Sequence, residues 1–212
     1  MNAIKHFYTE DWYFSIPMTI MTVVAFALVV WRFLLNRGSR TDMDGFMPVF
    51  QDTLTKKGVA AAIALCKEER GLIPNMLFAA GLEAAGQGNA AMRRSMASAL
   101  ELEILPRLNF LLAPILAIAK IATMVGLLGT VVSMINTFNA ISEAKGDSAK
   151  VTGQAQSIGL ALFATALGLL TAIPLVFSHV MFKDWIVRYE TKMKGWSQKL
   201  IALVQSAKRG EG

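Results

Sequence analysis

The sequence predicts an all-α integral membrane protein with three transmembrane helices. The second and third helices are predicted to be long and to extend into the cytoplasm, where they form a helical bundle. Of the 212 residues 54% are apolar and only 17% are charged, whereas a soluble domain carries about a quarter charged residues. Three stretches without formal charge also reach the roughly 20 residues that a hydrocarbon core of about 30 Å requires. This apolar excess is too large for one soluble core.

The first span is predicted at residues 12–31, after a short N-terminal tail at residues 1–11. It holds 20 residues without a formal charge, and aromatic rings lie at both of its ends, where they favour the membrane interface. The tripeptide Ala25–Ala27 matches the small-x-small pattern of a signal-peptide cleavage site. It lies inside the apolar run, so we expect this helix to remain attached.

Residues 32–107 have soluble character, and their apolar side chains recur at helical spacing. Glycines such as Gly71 and Gly88 divide the segment into short helices. It contains no glycine-rich phosphate loop, no Ser/His/Asp set and no alternating strand pattern. Cys66, the single cysteine, excludes a disulfide scaffold and is interpreted as a packing residue among Ala and Leu.

The second span is predicted within residues 108–142, and its helix begins before the bilayer because an apolar run precedes Lys120. A turn follows at residues 143–150. The third span is predicted at residues 151–182, which is longer than one crossing needs at about 1.5 Å per residue, and tilt or an extension absorbs the excess. Residues 183–212 form the tail.

The orientation follows from Lys and Arg, which are retained on the cytoplasmic side. One precedes the first span, eleven lie from Arg32 to Lys120, two lie in the turn and seven in the tail. We therefore expect the N-terminus and the turn to be periplasmic and the middle segment and tail to be cytoplasmic. This topology accounts for the net charge of +6, so the basic charge does not indicate nucleic-acid binding.

Spans two and three carry stripes of small and hydroxyl-bearing side chains. In a helix of 3.6 residues per turn each set shares one face. These stripes permit close helix packing in lipid, and that interpretation is kept beside a second one, a polar lining for a path or a partner helix. The residues are Thr123, Gly126, Thr130, Ser133 and Thr137 in span two, and Ala161, Thr165, Gly168 and Ala172 in span three.

Titratable side chains are missing from the interior of these two spans. A proton pathway normally uses intramembrane Asp, Glu or His, so either the chain transports nothing or a partner supplies the carboxylate. Lys120 is predicted near the inner end of span two, where it either snorkels to the interface or neutralises an acidic partner at the inner mouth. No nucleophile, acid pair or metal-ligand set indicates an enzyme or a cofactor.

Two segments resemble the signature helices of the MotA/TolQ/ExbB proton-channel family. They are GLLGTVVSMINTF at Gly126–Phe138, preceded by AIAKIATMV, and ALFATALGLLTAIP at Ala161–Pro174. Three spans with the large cytoplasmic loop between the first two resemble the ExbB/TolQ branch. The resemblance adds Gly129 and Pro174 to the residues of the packing helices.

The resemblance implies a pentamer around a dimer of a single-span partner similar to ExbD or TolR, whose membrane Asp takes up and releases protons. It also implies that Thr130 and Thr165 face the partner helices, and that a TonB- or TolA-like protein receives the work in the bacterial inner membrane. Two residues depart from the family pattern: Leu160 stands where many relatives carry Glu, and Thr123 stands where proline is frequent. An oligomeric scaffold without ion conduction remains the alternative.

Overall fold

The computed structural model describes residues 12–38, 43–69, 71–143 and 148–210. Nearly all residues in these ranges are helical, and none lies in a strand. Three helices are long and apolar enough to cross a membrane. The predicted all-α membrane fold class is confirmed. The N-terminal tail 1–11, which is predicted to be periplasmic, residues 144–147 of the turn and the side chain at position 160 lie outside the described residues.

The helices follow one another with short connections. Helix α1 spans Trp12–Gly38 and α2 spans Met43–Glu68. A π-helical segment at Ile73–Phe78 leads into α3 at Ala79–Glu83, a 3₁₀ turn at Ala85–Gln87 and α4 at Asn89–Ala99. A second π-helical segment at Leu100–Ile104 leads into α5 at Leu105–Asn109, and the two longest helices follow: α6 at Leu112–Glu143 and α7 at Ser148–Gly210.

These elements divide into two compact units. The first unit comprises Met1–Trp31 and Leu111–Met181, and the second comprises Arg32–Phe110 and Phe182–Gly212. The first unit contains most of α1, all of α6 and the first half of α7, and these carry the apolar stretches that the sequence assigns to the membrane. The second unit contains the short helices and the rest of α7.

Helix α6 begins after an unusual backbone conformation. Leu111 adopts a positive φ of 70°, which a non-glycine residue rarely adopts and which ends the preceding segment. The helix then starts at Leu112, with Pro114 in its first turn, where the missing N–H of proline removes no intrahelical bond. The amide of Ile115 closes the turn on the carbonyl of Leu111 at 3.1 Å.

The second unit has its own apolar core. Phe46 and Phe50 of α2 pack with Phe78, and the ring centroids lie 5.4 to 6.5 Å apart. Cys66 is fully buried, as its interpretation as a packing residue requires. Gly88, at a φ of 103°, precedes α4, so the predicted glycine interruption there is confirmed. At Gly58 a φ of 80° kinks α2, which the sequence analysis did not predict.

Candidate functional site

Helices α6 and α7 approach each other closely at their glycines. A Cβ atom added at Gly126 would lie 3.2 Å from the Cα atom of Thr165, and one added at Gly168 would lie 2.7 Å from the carbonyl oxygen of Ala122. A Cβ at Gly129 would lie 3.0 Å from that of Ala164. Small residues at such contacts let helix backbones approach closely in lipid. The small stripe therefore forms the contact between α6 and α7.

The α7 side of this contact is lined by alanines. Ala161, Ala164 and Ala172 are each less than 5% exposed, and Phe163 and Leu167 pack against Ala164. Pro174 lies within α7, half-buried, two residues after Ala172. Its missing N–H leaves one carbonyl of the preceding turn without its intrahelical donor.

Thr165 joins the two helices by a hydrogen bond. Its hydroxyl Oγ1 donates to the carbonyl oxygen of Gly126 at 2.9 Å, across a separation of 39 positions in the sequence. The Thr165 side chain is half-buried. Because a hydroxyl has one proton and two lone pairs, Thr165 in this arrangement acts toward any further partner as an acceptor.

The hydroxyls of α6 are bonded within their own helix. Thr123 donates to the carbonyl of Lys120 and Thr130 to that of Leu127, each at 2.7 Å, and Thr137 donates to that of Ser133 at 2.8 Å. Such local bonds satisfy a hydroxyl without a second helix. The α6 threonines are therefore satisfied in lipid without any partner protein.

The α6 stripe differs along its length in how much the chain covers it. Thr123 and Lys120 are exposed, Thr130 and Ser133 are half-buried, and Thr137 is only 5% exposed. The shared helical face predicted for the threonines is consistent with their spacing, but their surroundings within one copy differ. Near its middle, the α6–α7 pair leaves Thr130 partly accessible beside the Gly126–Thr165 bond.

A second hydroxyl contact, which the sequence analysis did not single out, joins α1 to α7. The Oγ1 atoms of Thr22 and Thr171 lie 2.9 Å apart. Thr22 also lies 2.8 Å from the carbonyl of Met18, and Thr171 lies 3.0 Å from that of Leu167. The two hydroxyls have two protons for these three contacts. One hydroxyl therefore donates to the second, and the second donates to the carbonyl of its own helix. Thr171 lies seven residues after Ala164, about two helical turns away, so both share the buried face of α7. This spacing is the sequence signal that could have identified Thr171.

Further along α7, His179 lies near the end of the first unit. Its Nδ1 atom lies 3.1 Å from the carbonyl oxygen of Leu112, the first residue of α6. A neutral imidazole with its proton on Nδ1 donates this bond. His179 therefore ties α7 to the start of α6, a role in packing.

The part of the chain that the structure describes contains no candidate metal site. No group of three or more His, Cys, Asp or Glu side chains lies close enough to hold a metal ion there. The chemistry available between α6 and α7 is instead that of hydroxyls and backbone carbonyls, which bind protons, water or a protonated acid through hydrogen bonds.

These features define a class of protein: a multi-pass helical membrane protein whose second and third apolar stretches carry hydroxyls and close glycine contacts in place of Asp, Glu, Lys and Arg. A sequence model of the family described as the MotA/TolQ/ExbB proton channel family matches residues 69–195. The chain belongs to this family. The family is described as one of proton channels, a transport class. Together with the three apolar helices it indicates a multi-pass protein of the bacterial inner membrane.

Two relatives agree with this assignment. The chain is 27% identical over 181 residues to the putative biopolymer transport protein ExbB-like 3 of Synechocystis sp., and the match covers 82% of each chain. It is 38% identical over 87 residues to the biopolymer transport protein ExbB of Pseudomonas putida, a match that covers 41% of this chain and 26% of the relative. Both names support the predicted ExbB-like branch.

Proposed function

We propose that the chain is the ring-forming subunit of a motor driven by the proton motive force. In this proposal a pentamer surrounds a pair of single-span partner helices that resemble ExbD or TolR. The family membership supports a proton path, and the spans themselves contain no Asp, Glu, Lys or Arg between Lys120 and Glu143 or from Val151 to Phe182. Because a proton path normally needs a titratable group, the partner supplies a membrane Asp.

The observation that carries the proposal is the state of the Thr165 hydroxyl. Its proton is engaged by the Gly126 carbonyl, so its oxygen accepts a hydrogen bond. A protonated aspartic acid has an O–H to donate, whereas an ionised one has none. We propose that Thr165 favours the protonated partner Asp, and that the accessible Thr130 holds the acid or a water beside it. No charge is then buried at the ring.

The proposed cycle follows from this preference. Protonation of the partner Asp from the periplasm removes its charge, the neutral helix moves past the threonines, and the proton leaves on the cytoplasmic side. One elementary charge that crosses 100 mV releases about 2.3 kcal/mol, so mechanical work needs several protons. A TonB- or TolA-like protein would carry this work to the cell envelope.

The orientation in the membrane is part of the proposal. The Lys and Arg counts favour a periplasmic location for the tail 1–11 and the turn 143–150, and a cytoplasmic one for the segment 32–107 and the tail 183–212. The spans are then 12–31, 108–142 and 151–182. In this arrangement Lys120 lies toward the cytoplasmic end of span two, where its exposed ammonium can snorkel or face the acidic partner.

A scaffold without ion conduction is the second candidate, and the close glycine contacts at Gly126 and Gly168 favour it. In that function the hydroxyls serve helix packing alone. The scaffold would form the same oligomer but would need no Asp-bearing partner and would move no protons.

Two measurements separate the candidates. The first is the mass of the detergent-purified chain alone and with a single-span partner that carries a membrane Asp. The second is proton uptake, under an imposed membrane potential, by liposomes that contain the complex. Thr130→Val and Thr165→Val should keep the oligomer and abolish uptake. Thr53→Val is the matched control, because the Thr53 hydroxyl bonds its own helix at the Val49 carbonyl. An oligomer that captures no partner, or a complex that takes up no protons, supports the scaffold. Uptake by the wild type that neither variant lowers would show that the roles proposed for Thr130 and Thr165 are wrong.

A further inference from the structure

The cytoplasmic half of α7 carries a groove that no part of the described chain fills. The groove has a volume of about 970 Å³ and is bordered by α2 and by the face of α7 that includes Trp185, Lys192 and Trp196. The rings of Trp185 and Tyr189 stack within it, with centroids 5.1 Å apart and planes 9° from parallel. Its walls are therefore both aromatic and basic.

The cations of the groove are incompletely neutralised. Arg188 is bonded to Asp184 at 2.8 Å, and Asp44 is the acidic residue among the lining side chains. Among the described residues no carboxylate lies within ion-pair distance of Lys192 or Lys199, and Lys199 lies 4.2 Å above the Trp196 ring. The groove thus suits an acidic segment that also carries an apolar side chain.

The chain presents such a segment elsewhere on the same unit. In the π-helical segment Leu100–Ile104 the two ends are buried, while Glu101, Leu102 and Glu103 are exposed. Leu102 is 73% exposed, the largest fraction among the exposed large apolar side chains of the described residues. Two acids that flank a protruding leucine complement a groove with basic and aromatic walls.

The segment does not occupy the groove of its own copy. None of Glu101, Leu102 and Glu103 lines the groove, and all three side chains are exposed. The segment and the groove of one copy are therefore both open to a neighbouring copy.

In a closed ring of identical copies each copy offers one surface and receives a different surface of its neighbour. We infer that the segment Glu101–Leu102–Glu103 of one copy docks into the groove of the neighbouring copy, with Leu102 against the aromatic rings and the glutamates beside Lys192 and Lys199. The inference rests on the ring assembly proposed above and identifies its cytoplasmic contact.

Crosslinking between two differently tagged copies tests this contact. Both copies carry Cys66→Ala in the full complex with its partner; one carries Leu102→Cys and the other Gly195→Cys, a groove position where an added Cβ meets nothing within 4 Å. A short bis-maleimide should join the two tags. The matched control replaces Gly195→Cys by Thr55→Cys, an exposed position on α2, and should not crosslink.

Charge reversal provides the second arm. Glu101→Lys with Glu103→Lys should lower the crosslink yield about tenfold, which corresponds to about 1.4 kcal/mol. Adding Lys192→Glu and Lys199→Glu to the receiving copy should restore it, and Glu68→Lys, an exposed acid outside the segment, should not change it. If the ring keeps its mass and its proton uptake but positions 102 and 195 do not crosslink, the docking is wrong and the ring assembly is not affected. A monomeric wild type overturns the ring and the docking together.

Discussion

The Thr165 hydroxyl lies 2.9 Å from the carbonyl oxygen of Gly126 and donates to it, so the two signature segments of the chain are joined by one hydrogen bond. Gly126 also lacks a side chain where an added Cβ would meet the Thr165 backbone at 3.2 Å. The close approach and the hydrogen bond depend on each other, because a wider helix spacing would remove the bond. The packing of the site and its chemistry therefore share the same atoms.

Replacing Thr165 by Val keeps the shape of the side chain and removes its hydroxyl. We expect a small loss of stability, about 0.6 kcal/mol and at most about 1.7, because interhelical hydrogen bonds in membranes have this size. We expect proton uptake to be lost, since no oxygen remains to accept from the partner acid. Thermal denaturation in detergent measures the first effect, and uptake into liposomes the second.

Thr165→Ser serves as the conservative variant, because it restores the hydroxyl without the methyl group. It should recover most of the proton uptake. If Thr165→Val conducted like the wild type while its stability fell, the residue would be a packing residue and the proposed role at the partner acid would be wrong.

Gly168 is the second position where a single methyl group should have a measurable effect. The added Cβ of Gly168→Ala would lie 2.7 Å from the Ala122 carbonyl oxygen and 3.1 Å from the Met18 Cε. Overpacking of this kind costs about 1–3 kcal/mol, so the thermal midpoint of the purified complex should fall. Gly159→Ala on the same helix is the matched control, because nothing lies within 4 Å of its added Cβ. A midpoint for Gly168→Ala equal to that of the control would contradict the close contact.

The small stripe could be predicted from sequence because helical spacing alone places its members on one face. The fold class could be predicted because apolar length and charge depletion are local properties. The carbonyl that accepts the Thr165 hydroxyl could not be predicted from sequence. A hydroxyl in a helix can donate to the carbonyl four residues back in α7 as well as to Gly126, and tertiary packing decides between the two. The same limit applies to Thr123 and Thr137, whose different burial depends on which neighbouring helix covers each turn.

The Thr22–Thr171 contact shows this limit most clearly, and a double-mutant cycle tests it. Thr22→Val and Thr171→Val should be non-additive, with a coupling of about 0.6 kcal/mol and no more than about 1.7, because their hydroxyls lie 2.9 Å apart. The free energy of unfolding in mixed micelles is the measured quantity. A cycle of Thr171→Val with Thr123→Val, whose hydroxyl bonds its own helix at the Lys120 carbonyl, should be additive. Additivity in the first cycle would show that α1 is held by apolar contacts alone.

Cys66 allows a prediction about pH. Burial, followed by the charge of Glu69, raises the pKa of its thiol to about 12, and the thiolate is the reactive form. In the native complex, labelling by iodoacetamide at pH 8 should be far slower than for an unperturbed cysteine of pKa about 8.5, and its rate should rise tenfold per pH unit well above pH 9. In the unfolded chain the thiol has its ordinary pKa of about 8.5. The contribution of Cys66 to stability is therefore complete below that pH and is lost as the pH rises from there toward 12. Thr55→Cys in a Cys66→Ala background, at an exposed position on α2 outside the groove, is the control and should label rapidly. Rapid native labelling of Cys66 at pH 8, or a rate that levels off near pH 9, would show that the thiol is reached by water and is not part of the core of the second unit.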